Sequence, residues 1–441
     1  MDPAVIRLIG VFVGLIFLIV LSIKGVSLMI VGPCAAVIVA LFSGVDIIET
    51  LTGAYMTGFA NFATSNFLIF LLSAIFGKML GDCGAAKYIA YKLAALAKKF
   101  PGKEKVVAVL CLTLVQAVLT YGGISLFVVV FTLVSIGKDL FEELDVPWSM
   151  YTCATLGSGC FTMTMLPGTP AIQNLIPIDY LGTTAMAAPV LGLISAILAV
   201  FLGICWIVFL THRNEKKGLG FLPSGAEISK VIVTDNAAAI PQMSLLKALA
   251  PSIVLLIVLN VLQQSAITAL AAACVATYIL FHKDLKDLRK SIADGSSNAL
   301  FSIGNVCAVT GFGGVVSSVS AYGLVLSALD SLPGPPIVQL IVAVNICAGV
   351  TGSASGGLGI ALESLSQRFL DMGLNPQVIH RIAAMSSGGL DSLPHNGAVI
   401  NTLTVTRLGH KYGYLNYFVM TVVIPIICTI VAAILSQMGI C

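Results

Sequence analysis

The chain has 441 residues, of which 58% are hydrophobic and only 10% are charged, and its formal net charge is +3. Because soluble domains carry roughly 25% charged residues, this composition leaves too little polar surface to cover a soluble globule and indicates an integral membrane protein. The near-neutral charge, without an acidic or basic tail, gives no indication of a nucleic-acid partner.

Eight apolar runs have the character of full membrane spans, which need about 20 residues each. In chain order they cover 4–22, 26–42, 65–80, 185–210, 245–262, 264–281, 298–312 and 414–436. The first run lacks a basic leader and a small-residue cleavage site, so we interpret it as a retained helix and not as a signal peptide. The runs therefore predict an all-α polytopic fold.

Four further apolar regions are interrupted by residues that break helices. The regions, with the break in each, are 105–138 (Gly122-Gly123), 148–176 (Leu166-Pro167), 337–370 (Gly352 to Gly357) and 376–406 (Leu393-Pro394). A broken backbone at membrane depth has amides that lipid cannot satisfy, so it is tolerated only inside protein or along a watery cavity. These regions predict discontinuous helices that line such a cavity.

The breaks belong to an internal repeat. Each half shows, in the same order, a Ser-Asn pair, a Pro-Gly pair at the same interval, a glycine break and a Leu-Pro break. If the glycine-broken regions are re-entrant hairpins, each half has five crossings and one hairpin. Five is odd, so the two halves are predicted to be inverted repeats. The residues in matching register around the Leu-Pro breaks are Pro167, Ala171 and Asn174, and Pro394, Ala398 and Asn401.

The distribution of basic residues supports this topology. Most of the lysines and arginines fall on one side, which the positive-inside rule assigns to the cytoplasm, whereas Arg7, Arg368 and Arg381 fall on the other side. The prediction places both termini outside a bacterial inner membrane. Segment 212–243 is polar and is predicted to be the cytoplasmic linker between the halves, and 84–99 is predicted to be an amphipathic interfacial helix.

The four breaks also predict a binding site for a small organic anion. A helix that restarts after a break presents free amides and about half a positive charge at its amino end. Such ends fall near Ile124, Ala171, Leu358 and Ala398 and can converge at the midplane if the halves face each other. The alternative interpretation is that the glycines only allow close helix packing. The candidate substrate-binding residues are Thr120, Gly122, Gly123, Ser125, Thr169, Asn174, Thr351, Ser353, Ser355, Gly356, Asn396 and Asn401.

The charges near the breaks suggest what is transported. No arginine or lysine lies in the four breaks, and because several buried negative charges without a partner are very costly, the sequence favours a monoanion. Asp391 and His395 stand four residues apart around Pro394. That spacing places two side chains on one face of a helix, so they are a candidate proton relay. The alternative is a capping aspartate and a histidine bonded to freed carbonyls.

Nothing in the sequence predicts a cofactor, a metal or catalysis. No cysteines form a C-x-x-C pair, and the histidines lack metal-ligand spacing. Ser355 beside glycines, together with His395, could suggest a serine hydrolase, but the nucleophile motif would need glycine at position 353, which is Ser353. We therefore expect a protein that is not an enzyme.

Three stretches resemble the gluconate:proton symporter (gluconate permease) family within the ion transporter superfamily. They are residues 76–86 (FGKMLGDCGAA), 166–170 (LPGTP) and 391–400 (DSLPHNGAVI), and the last is more similar to the hydroxybutyrate-permease branch. The resemblance extends over most of the chain. It implies proton-coupled uptake of small carboxylates, a homodimer and an elevator motion.

The same resemblance implies a division into domains. By analogy, 1–100 and 244–332 form the scaffold, and 101–211 and 333–441 form the moving transport domain. Sodium-coupled relatives carry Ser-Asn-Thr at the hairpin tips. This chain has Tyr121-Gly122-Gly123 and Ser353-Ala354-Ser355 there, and the departure argues against sodium coupling.

The predicted function is secondary active transport, as proton-coupled symport of a short monocarboxylate or hydroxy acid. Its expected partners are that anion, the proton and the lipid bilayer. A sodium-coupled transporter, or one for gluconate or lactate, stays open as an alternative. An anion channel is the alternative of another class, because it could use the same helix ends without alternating access.

Overall fold

The computed structural model describes residues 3–24, 26–121, 126–169, 171–231, 242–262, 264–319 and 334–441. Within these ranges the chain is helical and contains no strand. Six helical segments in the described ranges are long and apolar enough to cross a membrane, and shorter apolar helices accompany them. The predicted all-α polytopic fold is therefore confirmed.

The helices fall into two successions that match the two halves of the sequence. Those of the first half are α1 (Pro3–Ile23), α2 (Leu28–Ser43), α3 (Ile47–Thr50), α4 (Met56–Asp82), α5 (Ala85–Ala97), α6 (Glu104–Tyr121), α7 (Leu126–Glu143), α8 (Phe161–Thr164), α9 (Ile172–Leu181), α10 (Pro189–Lys216) and α11 (Ala226–Val231). Those of the second half are α12 (Leu245–Leu256), α13 (Ala266–Phe281), α14 (Leu288–Ser318), α15 (Pro336–Thr351), α16 (Ala354–Asp371), α17 (Pro376–Ser387), α18 (Gly397–Val405), α19 (His410–Phe418) and α20 (Ile424–Gln437).

Two elements extend beyond what hydropathy predicts. A π-helical turn, Leu51–Tyr55, joins α3 to α4, so the span runs over Ile47–Asp82 and is longer than the predicted run 65–80. α10 continues to Lys216, so the predicted linker 212–243 begins inside a helix. Residues 232–241 of that linker lie outside the described ranges. α5 coincides with the predicted amphipathic helix.

α4 and α14 pack along each other through small residues. A Cβ added at Gly58 would lie 2.6 Å from the carbonyl oxygen of Thr310, and one added at Gly314 would lie 2.7 Å from that of Ala54. Glycine at these positions lets two backbones approach more closely than any other residue would. α2 packs on α14 and α13 packs on α4, so the α4–α14 pair is the centre of one bundle.

A second bundle joins the later helices of both halves. α10 packs against α20, and the 3₁₀ segment Trp148–Ala154 packs against α19. The indole Nε1 of Trp148 donates a 2.8 Å hydrogen bond to the carbonyl of Thr406, and Thr152 donates one of 3.0 Å to the carbonyl of Gly413. Both are buried bonds between the halves, so neither half can form this bundle alone.

Three of the four predicted regions are interrupted within the residues that the structure describes. α15 ends at Thr351 and α16 begins at Ala354, and α17 ends at Ser387 well before α18 begins at Gly397. In the first half, the chain is interrupted between α8, which ends at Thr164, and α9, which begins at Ile172. Residues 122–125, between α6 and α7, lie outside the described ranges, and so does the helix start expected near Ile124.

Each helix that begins after a proline break packs against a helix of the opposite half. α9 packs against α16, and α18 packs against α7, so each contacts the second arm of the other half's broken pair. A pair of inverted repeats would produce this reciprocal packing, although the inversion itself stays a prediction.

Several of the lysines that the topology assigns to the cytoplasm lie together, since Lys78, Lys87, Lys283, Lys286 and Lys290 line one cavity. Lys98 pairs with Glu143 at 2.7 Å, and Lys247 pairs with Asp284 at 3.6 Å. These pairs tie the end of α7 to the end of α5, and the start of α12 to the end of α13. Which side of the membrane these lysines face stays a prediction.

Candidate functional site

The two breaks of the second half are in direct contact. The side-chain amide of Asn396 donates a 2.9 Å hydrogen bond to the carbonyl of Gly352, at the end of α15. Gly352 has a φ of +62°, and a Cβ there would lie 2.9 Å from the imidazole of His395. Only glycine avoids both the left-handed strain and the clash. The glycine tip and the proline break therefore form one polar cluster.

Side chains cap the two helices that begin at this cluster. Asn396 accepts from the amides of Ala398 and Val399 at 2.6 and 3.1 Å, and Ser353 accepts from the amide of Gly356 at 3.1 Å. N-caps of this kind satisfy the first free amides of a helix. Some of the amides predicted to face an anion are therefore already bonded within the protein.

The start of α16 corrects one expectation. The helix begins at Ala354, not near Leu358, because Ser353 caps it and the glycines that follow are helical. A Cβ at Gly357 would lie 2.3 Å from the backbone of Ala348 on α15. Gly357 therefore allows the two arms to pack closely, as the alternative interpretation of the glycines proposed.

Two fully buried side chains on this stretch have polar atoms without a partner. Among the residues that the structure describes, none forms a hydrogen bond with either ring nitrogen of His395 or with the amide nitrogen of Asn401, and both residues are 0% exposed. The Asn401 oxygen accepts a 2.6 Å bond from the hydroxyl of Ser302 on α14. Buried polar atoms are normally bonded, so unpaired ones need an explanation such as a ligand or water.

Asp391 and His395 do not have the helical relation that their spacing predicted. Asp391 lies in a 3₁₀ turn, Leu390–Ser392, and Leu393 is extended, with φ −64° and ψ 162°. The two side chains form neither an ion pair nor a hydrogen bond. The Asp391 carboxylate accepts a 3.0 Å bond from the hydroxyl of Ser392 and is 8% exposed. The shared-face argument is wrong here because the backbone stops being helical before Pro394.

The carbonyl freed by the second proline break has two partners that sequence reasoning missed. The Nε2 atom of His410, on α19, lies 3.0 Å from the carbonyl oxygen of Pro394 and 3.2 Å from the hydroxyl of Ser22 on α1. The Ser22 hydroxyl is itself 3.4 Å from the same carbonyl. His410 therefore satisfies the break, which is the role the alternative interpretation gave to His395.

The first-half break is built differently around Asn174. Its amide nitrogen donates 2.9 Å bonds to the carbonyls of Thr169 and Ala185. Its oxygen lies 2.9 Å from the guanidinium of Arg381 and 3.2 Å from Nε2 of His380. These four contacts use both donors and both acceptor positions of the amide. Asn174 has no position left for a ligand in this arrangement.

Arg381 is a buried cation beside the first proline break. It is 0% exposed, and its guanidinium also donates to the carbonyls of Thr164, Ala185 and Ala187. No carboxylate among the described residues pairs with it. The sequence places no arginine in the breaks, but in space α17 brings one there. The contact joins residues about two hundred positions apart, so no local pattern could reveal it.

The other predicted site residues divide between the two clusters. Thr351, Ser353, Ser355 and Gly356 lie at the second-half tip, where the two serine hydroxyls are 3.5 Å apart. Thr120 lies at the end of α6 and donates to the carbonyl of Gln116, within its own helix. Gly122, Gly123 and Ser125 lie outside the described ranges. In the part of the chain that the structure describes, no three His, Cys, Asp or Glu side chains are grouped to hold a metal ion.

Comparisons with known proteins give the family. The chain is 32% identical to the uncharacterized transporter YxjC of Bacillus subtilis (strain 168) over 476 residues, covering 98% of this chain and 99% of that protein. It also overlaps the crystal structure of the Alcanivorax borkumensis YdaH transporter, over 88% of each chain, with 15% identity and a TM-score of 0.36. The family profile described as GntP family permease matches residues 5–364. The chain therefore belongs to the GntP permease family.

Proposed function

We propose that this permease is a proton-coupled symporter of a short monocarboxylate or hydroxy acid. Membership of a permease family supports transport of a small substrate across a membrane and argues against an enzyme. The observation that carries the finer proposal is the cluster at the second-half breaks. There, His395 and Asn401 present three unpaired polar atoms in a fully buried place.

The cluster offers the groups that a carboxylate needs. The amide nitrogen of Asn401 is a donor, and neutral His395 supplies one donor and one acceptor. A carboxylate can accept from both residues, and a substrate hydroxyl can bond to the remaining ring nitrogen. The amino ends of α16 and α18 add partial positive charge at the same place. We place the substrate here, with Thr351, Ser353, Ser355, Gly356 and Asn396 around it.

His395 also supplies a reason for proton coupling. A protonated imidazole without a counter-charge is costly in a buried site, and so is a carboxylate alone. Bound together they neutralise each other, so the proton and the anion are expected to bind cooperatively, and the coupling is reciprocal. Asp391, buried nearby and bonded among the described residues to Ser392, is the proposed second proton acceptor.

An elevator motion would act at the contacts between the two bundles. Ser302 on α14 bonds to Asn401, and Ser22 on α1 contacts Pro394 and His410. These bonds join the proposed scaffold to the proposed transport domain close to the site. They must break if one domain slides along the other. We propose a homodimer with both termini outside the cell membrane.

Uptake into proteoliposomes tests the proposal. The purified protein is reconstituted, a pH gradient is imposed with and without sodium, and accumulation of labelled short carboxylates and hydroxy acids is measured. The proposal expects accumulation that follows the pH gradient and ignores sodium. Accumulation that needs sodium would support the sodium-coupled alternative. Movement only down the substrate gradient would support the anion channel.

A further inference from the structure

A large cavity opens at the lysine-rich end of the molecule, away from the breaks. Its volume is about 650 Å³, and its walls come from α4, α5 and α14 on one side and from α7 and α18 on the other. It therefore lies between the proposed scaffold and the proposed transport domain. The basic residues that line it are Lys78, Lys87, Lys283, Lys286, Lys290 and Arg407.

Each of the four carboxylates that line the cavity pairs with a lysine, although Lys78 is shared between two of them and Lys138 also pairs with Glu142. The pairs are Asp82 with Lys78 at 2.6 Å, Asp294 with Lys78 at 3.6 Å, Asp284 with Lys247 at 3.6 Å and Asp139 with Lys138 at 3.9 Å. Lys283, Lys286 and Lys290, by contrast, form no ion pair with any carboxylate in the described ranges. The lining holds six basic and four acidic residues, so it has an excess of positive charge, and three of its lysines have no carboxylate partner in the described ranges.

Arg407 adds a fourth cation from the opposite wall. It follows α18 with a φ of +55°, which is uncommon for a residue other than glycine. Its guanidinium reaches across to α14, 3.4 Å from the side-chain oxygen of Asn298 and 5.6 Å from the ring centre of Phe301. Both partners are neutral. The positive charge therefore faces the cavity from both bundles.

The cavity reaches α18, the helix that carries Asn401 of the proposed substrate site. Its lining includes Thr404 on α18, about one helical turn beyond Asn401, and Phe131 on α7. Phe131 packs against Phe70, whose ring centre is 6.0 Å away, and Phe70 packs against Phe127 at 5.0 Å. These rings come from both bundles and pack α4 against α7 beside the cavity.

We propose that this cavity is a second anion site, an antechamber that holds the transported carboxylate on its way to or from the site at His395 and Asn401. The inference rests on the proposed function. A cleft lined by charge of one sign raises the local concentration of the opposite ion and its association rate. Three lysines and one arginine without acidic partners give the cavity that property for a small carboxylate.

Charge-neutral variants test the antechamber. The variant K283Q/K286Q/K290Q is compared with K99Q/K103Q/K216Q, which removes the same charge from exposed lysines at the same end but outside the cavity. Initial rates are measured in inside-out vesicles and in intact cells. We expect about a tenfold rise in KM for the cavity variant at the lysine-rich face in low salt, and no change at the other face. The difference should largely vanish at 1 M salt, where screening acts within about 3 Å.

A labelling experiment reports on the cavity without relying on transport. Ser135 lines the cavity on α7, and Ser135→Cys gives a thiol there. An anionic methanethiosulfonate should label this thiol faster than a cationic one. The ratio of the two labelling rates should be about ten times the ratio measured for a free thiol. The triple cavity variant should lose that preference, and acetate or lactate at high concentration should slow the labelling.

The two proposals fail in different ways. If wild-type vesicles transport no carboxylate, the proposed function fails, and the antechamber for a transported anion fails with it. If the wild type transports a carboxylate but both triple variants behave alike and the thiol shows no preference for the anionic reagent, only the antechamber is overturned. A KM change confined to the cavity variant, with anion-selective labelling, supports it.

Discussion

The two proline breaks have the same sequence pattern but different surroundings. At the first break, Asn174 is fully bonded, two of its partners being Arg381 and His380. At the second break, Asn401 keeps an unbonded amide nitrogen, and His395 keeps two unbonded ring nitrogens. Repeat-equivalent asparagines can thus have different roles. The first break is held closed by protein groups, and the second has hydrogen-bonding capacity left for a ligand.

The largest effect is expected from His395→Gln, which keeps a polar side chain but removes the titrating group. With wild type, symport of one proton per carboxylate should give about tenfold accumulation for each pH unit, since a tenfold ratio corresponds to about 1.4 kcal/mol. The variant should accumulate nothing, while exchange of substrate across the membrane survives. Proteoliposome uptake with an imposed gradient measures both.

The matched control is His410→Gln, at the histidine that bonds to the carbonyl of Pro394. It should retain gradient-driven accumulation. If His395→Gln still accumulates substrate as well as wild type does, the second break is not the coupling site and the contrast between the breaks loses its functional meaning.

Arg381→Met tests whether the buried guanidinium stabilises the first break. It should lower the free energy of unfolding by at least about 3 kcal/mol, because it removes the buried guanidinium that donates to the Asn174 oxygen and to the carbonyls of Thr164, Ala185 and Ala187. Arg213→Gln, at the exposed end of α10, should change it by less than about 0.5 kcal/mol. Thermal unfolding in detergent compares the two. Equal melting temperatures would show that the guanidinium does not hold the first break together.

The pair Asn174→Ala and Asn401→Ala compares the breaks directly. Asn174→Ala removes four hydrogen bonds and Asn401→Ala removes one, so the first variant should be less stable by about 2 kcal/mol. Substrate binding should show the reverse order, with the greater loss in Asn401→Ala. The measurements are unfolding in detergent and a thermal-shift titration with short carboxylates. The contrast would be refuted if Asn174→Ala were the more stable protein and also the weaker binder.

The smallest effect is expected from Ser302→Ala. It removes the hydroxyl that bonds to the Asn401 oxygen and should cost about 1 kcal/mol of stability. Ser296→Ala, whose exposed hydroxyl bonds only within its own helix, is the control and should be neutral. A lower substrate affinity in Ser302→Ala alone would show that α14 orients Asn401. Unchanged affinity would limit Ser302 to a packing role.

The sequence predicted the helices and their interruptions because both depend on local composition. Apolar runs, glycines and prolines act over a few residues, and three of the four predicted interruptions are present in the described residues. The fourth, at Gly122-Gly123, lies outside them. The segment Ile47–Tyr55, which precedes α4, was missed because Thr50, Thr52 and Gly53 lower its mean hydropathy. Gly357 lets two helices pack, as the packing interpretation of the glycines proposed, and Gly352 shapes the polar cluster. That the cluster binds an anion stays a prediction.

The site was only partly predictable, because its energetics depend on distant residues. Asn401 and His395 were named from spacing, but nothing local distinguishes Asn401 from Asn174. That difference comes from Arg381, which reaches Asn174 through tertiary packing. The Asp391 and His395 pairing was inferred from helical spacing, and it failed because the backbone around Pro394 is not helical.

Calorimetry of substrate binding tests the central claim most directly. The purified protein is titrated with a carboxylate that it binds, in buffers of different ionisation enthalpy. The change in binding enthalpy from buffer to buffer gives the number of protons taken up on binding. If His395 is protonated together with the anion, wild type should take up close to one proton per carboxylate at a pH where the free site is neutral, and His395→Gln should take up none. Binding without proton uptake in wild type, or equal uptake in the variant, would contradict a proton-coupled site at the second break.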